Sequence, residues 1–489
     1  MVAAQTRDLL GTDLRELIDE FDRQDDLRRI DGADWNLELG AITEMLALRD
    51  GPALLFDRIK GYPAGFRVLA NLLNNPRRVG MLFGLPRTAG GIEIVRTIRQ
   101  RFTNASLLDP VEVRTSSFEQ ESRTGSQVNV YDFPAPFWHE HDGGRYIGTA
   151  CIVITRDRDE SWVNLGTYRV QVHDERTLGI YLEQPHHGNL MMQRYWERGE
   201  AAPIAICIGV QPAVLMGAFL AVPWGVSEYR WAGGIVGRPI ETVRGEFTGL
   251  PLPASAEIVI EGRCPPPSEE SRLEGPFGET IGYYASEPDQ RPVIHVDAVH
   301  YRREPILVGS PPLRPPASSS ASYLFRAANL WNQMERAGIP DIRGVWMHPS
   351  GASSALAVVS ITQRYAGHVK QVGMAAMTGT AGAGLVGRYV IVVDDDIDPS
   401  DVDQVLWAVA MRSDPEESID VVRQTTAAYL DPRIPPEKRA SHDYSMSRAI
   451  IDACRPYRWR DQFPRPVGTS PELQAQVLHD WPQLFGQNT

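Results

Sequence analysis

The sequence predicts an α+β fold in three parts: a mainly helical start (1–110), a middle built on a β-barrel or curved antiparallel sheet (111–315) and an α/β end (316–489). Three observations predict it. The first hundred residues carry apolar side chains at helical spacing. From about residue 112 to 310, short runs rich in Val, Ile, Tyr and Thr recur between Gly, Pro and Asp breaks. After a stretch dense in Pro and Ser at 309–320, helical and strand-like runs alternate.

Leu10, Leu14, Leu17, Ile18 and Phe21 mark one face of an amphipathic helix, and no apolar signal-peptide core precedes it. Ile42, Met45 and Leu46 repeat the helical spacing, as do Leu69, Leu72 and Leu73. The strand candidates are 146–154, 166–172, 204–209, 256–260 and 293–296. Residues 204–222 are apolar apart from Gln211. Gly209, Gln211 and Pro212 break this run, so a buried strand (204–210) and a helix (213–220) fit it better than a membrane span. Further on, helices are expected at 323–338 and 402–412 and strands at 356–361 and 389–393. A last helix is expected at 469–484, with Thr469 and Glu472 as a capping box and Pro471 in its first turn.

A chain of 489 residues forms two or three domains and buries a core without covalent staples. Its net charge of -13 argues against a nucleic acid or an anionic membrane as partner. Cys151, Cys207, Cys264 and Cys454 form no CxxC pair, which points to a reducing, cytoplasmic setting without a zinc finger.

The densest polar signal lies between Asn164 and Glu279. In NLGTYRVQV a strand would place Tyr168, Val170 and Val172 on one face, with Arg169 and Gln171 on the other. A buried Arg169 needs an anionic partner; a solvated strand face is the alternative. His186 and His187, with Glu228 and an amide oxygen, would suit Mn²⁺ or Mg²⁺ better than Zn²⁺, although a His pair also reads as loop surface. In EGPFGE, a turn at Pro276 and Gly278 brings Glu274 and Glu279 toward one site. Two close carboxylates do not both ionise cheaply, so one can serve as a general acid while an arginine holds the other; the alternative is two solvated loop glutamates.

Three weaker signals are set aside. Gly382, Gly384 and Gly387 match GxGxxG but precede a strand, whereas a dinucleotide loop follows one. Asp394, Asp395, Asp396 and Asp398 lack calcium-loop spacing and read as a cap for the next helix. His139 and His141, flanking Glu140, read as a structural hydrogen-bonding loop.

Taken together, HEHDGGRYIGTA (139–150), NLGTYRVQV (164–172), GVSEYRWAGGI (225–235), LEGPFGETIGYY (273–284), ITQRYAGHVKQV (361–372) and VVDDDID (392–398) resemble the UbiD family of prenylated-FMN-dependent decarboxylases. The resemblance spans almost the whole chain and is closest to members acting on phenolic and other aromatic acids, the vanillate type among them. It implies a split β-barrel like the flavin reductases for 111–315 and a C-terminal oligomerisation domain that builds a homodimer or larger homo-oligomer.

The resemblance also implies roles. The catalytic set falls on Arg169, Glu274 and Glu279, and the divalent-metal ligands that grip the flavin phosphate fall on Asn164, His187 and Glu228. Thr167, Tyr168, Arg169, His186, Leu220 and Lys370 take cofactor-contact positions, with Lys370 at the phosphate. A K⁺ site would use Glu228 and the carbonyls around Gly217, Ala218 and Leu220. Several members have serines where this chain has Ala218 and Phe219, and the family's Pro-Glu appears here as Pro223–Trp224.

In this family the flavin bonds covalently to the substrate carbon, CO₂ leaves, and a proton replaces it, here from Glu279; the reaction runs backwards at high CO₂. Such a cofactor implies a separate flavin prenyltransferase as supplier. The segment around Thr425, Thr426 and Ala427 resembles the substrate-pocket wall of relatives. Its small side chains leave room for a bicyclic or tricyclic acid, of the indole or phenazine carboxylate kind. Two other readings stand beside this one: a phenolic acid decarboxylase of the vanillate or 4-hydroxybenzoate type, and a metal-dependent enzyme without flavin.

Overall fold

The computed structural model describes residues 7–182, 186–220, 222–318, 320–378 and 387–485. The chain opens with α1 (Leu14–Arg23), β1 (Leu27–Asp31), α2 (Glu38–Ala47), β2 (Ala53–Asp57), β3 (Arg67–Ala70), α3 (Pro76–Leu82) and α4 (Gly91–Asn104). Asp13 caps α1 by accepting from the Arg15 N–H, and the predicted face of Leu14, Leu17, Ile18 and Phe21 is buried. The helical start thus also contains three strands. Leu69 lies in β3, and Leu72 and Leu73 lie in a bend, so the helix expected from their spacing does not form there. The helix waits for Asn75, which caps α3, and for Pro76 in its first turn.

The middle runs through β4 (Val111–Glu112), β5 (Glu121–Thr124), β6 (Tyr146–Gly148), β7 (Cys151–Arg156), β8 (Val163–Gly166), β9 (Val170–Val172) and β10 (Thr177–Ile180). It continues with α5 (His187–Trp196), β11 (Ala202–Ile208), α6 (Pro212–Ala218) and α7 (Glu228–Val236). It closes with β12 (Glu241–Arg244), β13 (Pro251–Pro253), β14 (Ile258–Cys264), β15 (Ser271–Glu274), β16 (Asp289–Tyr301) and β17 (Ile306–Val308).

Ten of these strands form one sheet in the order β6-β9-β10-β16-β14-β11-β7-β8, with β15 and β5 also pairing with β16. Its ladders are antiparallel, and among the described residues β6 and β8 end it without pairing to each other, so no closed barrel forms among them. The apolar run 204–222 divides as its composition dictates. β11 is buried along nearly all its length, and Gln211 and Pro212 start α6. β17 pairs with β3, which ties the first part to the middle.

The last part holds α8 (Ser322–Arg336), β18 (Ile342–Met347), β19 (Leu356–Ile361), α9 (His368–Thr378), β20 (Tyr389–Asp394), α10 (Val402–Arg412), β21 (Ile419–Thr426), α11 (Pro436–Ala440), β22 (Ser445–Ala453), α12 (Pro471–Asp480) and α13 (Pro482–Phe485). Its five strands run in the order β18-β19-β20-β22-β21, with the inner three parallel.

Two caps differ from expectation. Ser470, not Thr469, caps α12, and α12 ends before Pro482 opens α13. Asp401 caps α10, whereas Asp394 and Asp396 grip Arg412 and Arg455. Gly382 and Gly384 of the GxGxxG match lie outside the described residues. All four cysteines are free and buried. Among the described residues no helix is long and apolar enough to cross a membrane.

Candidate active site

The strand expected over 164–172 is broken. β8 ends at Gly166 and β9 starts at Val170, so the predicted alternation of faces does not carry through Tyr168 and Arg169. The Tyr168 ring folds back over Gly166, where an added Cβ would stand 2.4 Å from a ring carbon. The Tyr168 hydroxyl accepts from the Gly188 N–H at 3.3 Å. The bend presents Arg169 to the turn after β15.

There Arg169 is clasped by both predicted carboxylates. Its Nε and Nη2 donate to Glu274 Oε1 and Oε2 at 2.8 and 2.9 Å, and its Nη1 donates to Glu279 Oε1 at 2.8 Å. Glu274 is 1% exposed at its side chain and Glu279 15%. Glu274 also accepts from the Tyr146 hydroxyl at 3.0 Å. The guanidinium carbon sits 3.9 Å from the Tyr181 ring centre and 5.6 Å from that of Phe277.

Burial works against the Arg169 charge, but its hydrogen bonds to Glu274 and the charges of both glutamates outweigh it and raise the guanidinium above its ordinary value. Burial, and then the Glu274 charge, push the Tyr146 phenol up, so it stays a donor. The two carboxylates are therefore not equivalent. Glu274 is a locked counter-ion with both oxygens used. Glu279 gives the arginine one oxygen, which the Ser286 hydroxyl also approaches at 3.5 Å.

Two local devices hold the turn, both from outside it. Gly143 donates its N–H to the Pro276 carbonyl at 2.6 Å, and a Cβ at Gly143 would lie 2.0 Å from the Gly275 oxygen, so only glycine fits. The Gln171 amide accepts from the Gly275 N–H at 3.1 Å and donates to the Gly143 carbonyl at 2.9 Å. Tyr146, Gln171 and Tyr181 were not assigned roles from the sequence. Gln171 shared a predicted face with Arg169, which was a usable signal; Tyr181 carried none.

The predicted metal ligands converge through their elements. Asn164 lies on β8, and His187 and Glu228 are the first residues of α5 and α7, both packed against β8. Glu228 is 2% exposed, and its Oε2 accepts from the Leu165 N–H at 2.7 Å. Burial pushes this carboxyl up to about 8. Burial, followed by the neighbouring His186, lowers His187, which favours a neutral imidazole.

The Asn164 Nδ2 is buried without a hydrogen-bond partner. Asn164 and Glu228 are buried, and a carboxylate, an imidazole and an amide oxygen would together suit a hard divalent cation. Among the described residues no group of three or more His, Cys, Asp or Glu side chains gathers; this set contains only two of those types. A Cβ at Gly217 would lie 3.3 Å from the Glu228 carbonyl oxygen, so the end of α6 runs directly beside Glu228. Trp224 packs edge-on to His187 and Trp162, with ring centres 5.2 and 5.0 Å away, and makes an aromatic wall where a carboxylate was expected in relatives.

The remaining predicted residues are spread more widely. Thr167 sits half-buried in the bend, His186 is exposed just before α5, and Leu220, half-buried, donates its N–H to the Gly217 carbonyl. Lys370 on α9 pairs with Asp420 of β21, within the C-terminal sheet. The Thr425 hydroxyl donates to the Met446 carbonyl at 2.9 Å, Thr426 is exposed, and Ala427 is buried. From Ala427 the chain reaches Tyr429, whose hydroxyl meets that of Tyr181, so this segment is one ring away from Arg169.

Three family models match the chain: the N-terminal domain of 3-octaprenyl-4-hydroxybenzoate carboxy-lyase (UbiD) at 18–98, its Rift-related domain at 110–315 and its C-terminal domain at 321–453. The chain is 32% identical over 468 residues to a pyrrole-2-carboxylic acid decarboxylase of Pseudomonas aeruginosa, covering 92% of each. Its fold is similar to the UbiD-class enzyme HmfF of Pelotomaculum thermopropionicum in complex with FMN, with a TM-score of 0.83, 28% identity and coverage of 96% and 99%. An evolved dimeric form of that enzyme was solved in complex with prenylated FMN, and it matches with a TM-score of 0.80 and 27% identity over 96% and 99%. The open form of vanillic acid decarboxylase from Sedimentibacter hydroxybenzoicus matches with a TM-score of 0.82 and 25% identity over 99% of each chain.

Proposed function

The chain belongs to the UbiD family, and we propose that it removes CO₂ reversibly from an aromatic or heteroaromatic carboxylic acid with a bound prenylated FMN. The observation that carries this reading is the clasp of Arg169 between Glu274 and Glu279. When bound, prenylated FMN supplies the covalent electron sink that the ring carbon needs as its carboxylate leaves.

The protein's own residues do the rest. Arg169, charged throughout, orients the substrate carboxylate, and Glu274 balances that charge and fixes the guanidinium plane. Glu279, which takes a single N–H of the arginine through Oε1, delivers the proton that replaces CO₂. Asn164, His187 and Glu228 would hold Mn²⁺, or Mg²⁺, against the flavin phosphate. Thr167, Tyr168, His186, Leu220 and Lys370 complete the cofactor contacts, and Glu228 with the carbonyls at Gly217, Ala218 and Leu220 would take K⁺.

The substrate is a heteroaromatic acid in this reading. The pyrrole-2-carboxylate activity of a relative matched over 92% of its length supports that class. The small side chains of Thr425, Thr426 and Ala427 extend it to bicyclic and tricyclic rings. The test is CO₂ release by protein co-produced with a flavin prenyltransferase, offered pyrrole-2-carboxylate, an indole carboxylate, a phenazine carboxylate and vanillate. Turnover of the heteroaromatic acids above vanillate is expected. Turnover of vanillate alone would move the assignment to phenolic acids, and turnover of none of them, with the flavin bound, would overturn it.

A further inference from the structure

Decarboxylation consumes one proton per turnover. The bond between ring carbon and carboxylate breaks, its electron pair stays with the ring carbon, CO₂ leaves, and the Glu279 proton forms the new C–H bond. Glu279 is then a carboxylate and must regain a proton from water. Its arginine contact cannot supply one, because Arg169 is held charged.

A cavity of about 360 Å³ reaches Glu279 between α2 and the loops at 138–141, 278–284 and 312–314. Its walls include the apolar Leu37, Trp138 and Leu313 and groups that carry charge or protons, among them Glu44, His139, Glu140, His141, Tyr284 and Arg314. His139 is fixed in this wall. Its backbone N–H donates to Asp142 Oδ2 at 3.1 Å, and its Nδ1 lies 3.7 Å from the same oxygen. Asp142 is 6% exposed, and its other oxygen accepts from the Tyr284 hydroxyl at 3.0 Å. A buried carboxylate thus anchors the His139 backbone, with the imidazole close by, and the Tyr284 phenol at the rim of a cavity that reaches the proton donor. A larger cavity of about 500 Å³, at Arg176, Arg263 and His295, does not touch Glu279; there Arg263 pairs with Asp297 and His295 with Glu270.

We propose that this cavity is the route by which Glu279 is reprotonated from solvent, and that His139, positioned by Asp142, passes the proton to the water within it. The proposal rests on the decarboxylase reading above. Histidine is the side chain suited to such transfer near neutral pH. Ala41, on α2 across the cavity, gives a means of closing it, because its side chain faces open space there.

The test uses the prenylated-FMN-loaded enzyme and an acid that wild type converts. It records steady-state kcat and KM, CO₂ released in the first turnover, and rescue by a small protonated amine buffer; thermal midpoint and flavin content report folding. His139→Ala is expected to lower kcat roughly tenfold or more with KM and first-turnover CO₂ preserved, and the buffer to restore it. Ala41→Phe is expected to lower kcat in the same pattern without rescue, since the plug also excludes the buffer. Wild-type kcat in both variants, a slowed first turnover, or a His139→Ala defect the buffer does not repair would overturn the route while leaving the decarboxylase reading intact. A wild type that converts no acid would instead remove that reading, and the route with it.

Discussion

At the scale of single residues, function turns on how differently two glutamates are held by one arginine. Glu274 receives two arginine N–H groups and a phenol; Glu279 receives one N–H and a distant hydroxyl. Arg169→Lys keeps the charge but loses the planar fork, and kcat/KM should fall roughly 10²–10³-fold with flavin retained. Tyr146→Phe removes one of three donors to Glu274, a loss of about 1 kcal/mol, so a drop of no more than roughly tenfold is expected in the same assay. A wild-type Arg169→Lys enzyme would contradict the role of the fork. The grouping of Arg169, Glu274 and Glu279 was legible through the family resemblance, whereas the residues alone left a solvated strand face and solvated loop glutamates open. Gln171, Tyr146 and Tyr181 were not legible, because their contacts cross long stretches of chain and their residue types are ordinary in strands.

At the scale of elements, the site is made where regular structure stops. The bend between β8 and β9 presents Arg169, and the first residues of α5 and α7 bring His187 and Glu228 to Asn164. Burial leaves the Glu228 carboxyl protonated near neutrality in metal-free protein. The neutral isostere Glu228→Gln should therefore leave the metal-free thermal midpoint nearly unchanged yet abolish Mn²⁺-dependent retention of the flavin. Chelation of the wild-type metal should release flavin in the same way. Flavin retained by Glu228→Gln after chelation would contradict the ligand assignment. Most of the segments expected as strands from their β-branched residues contain one. The bend at Tyr168 escaped because a side chain folding over Gly166 leaves no periodic trace, and the helix expected at Leu69 failed because helical spacing over five residues also fits a strand followed by a bend.

At the scale of the whole molecule, an antiparallel sheet carries the clasp, and the C-terminal α/β part reaches it through Tyr429. That part also bares apolar surface: Leu406, Trp407 and Met411 on α10 are 56%, 45% and 63% exposed. We expect this face to pair copies of the chain, so light scattering should report a dimer or larger for wild type and a monomer for Leu406→Glu combined with Met411→Glu. An unchanged assembly would place the interface elsewhere. Closure of the sheet was not legible in the sequence, because strand spacing alone cannot tell whether the end strands pair.

The central claim is that Glu279 delivers the proton that replaces CO₂ in a site holding prenylated FMN. The most direct measurement compares CO₂ release from pyrrole-2-carboxylate by wild type and by Glu279→Gln, each shown by mass spectrometry to carry prenylated FMN. The account predicts turnover by wild type and a loss of roughly 10²-fold or more in the variant at equal cofactor content. Equal turnover by the two loaded proteins would contradict it.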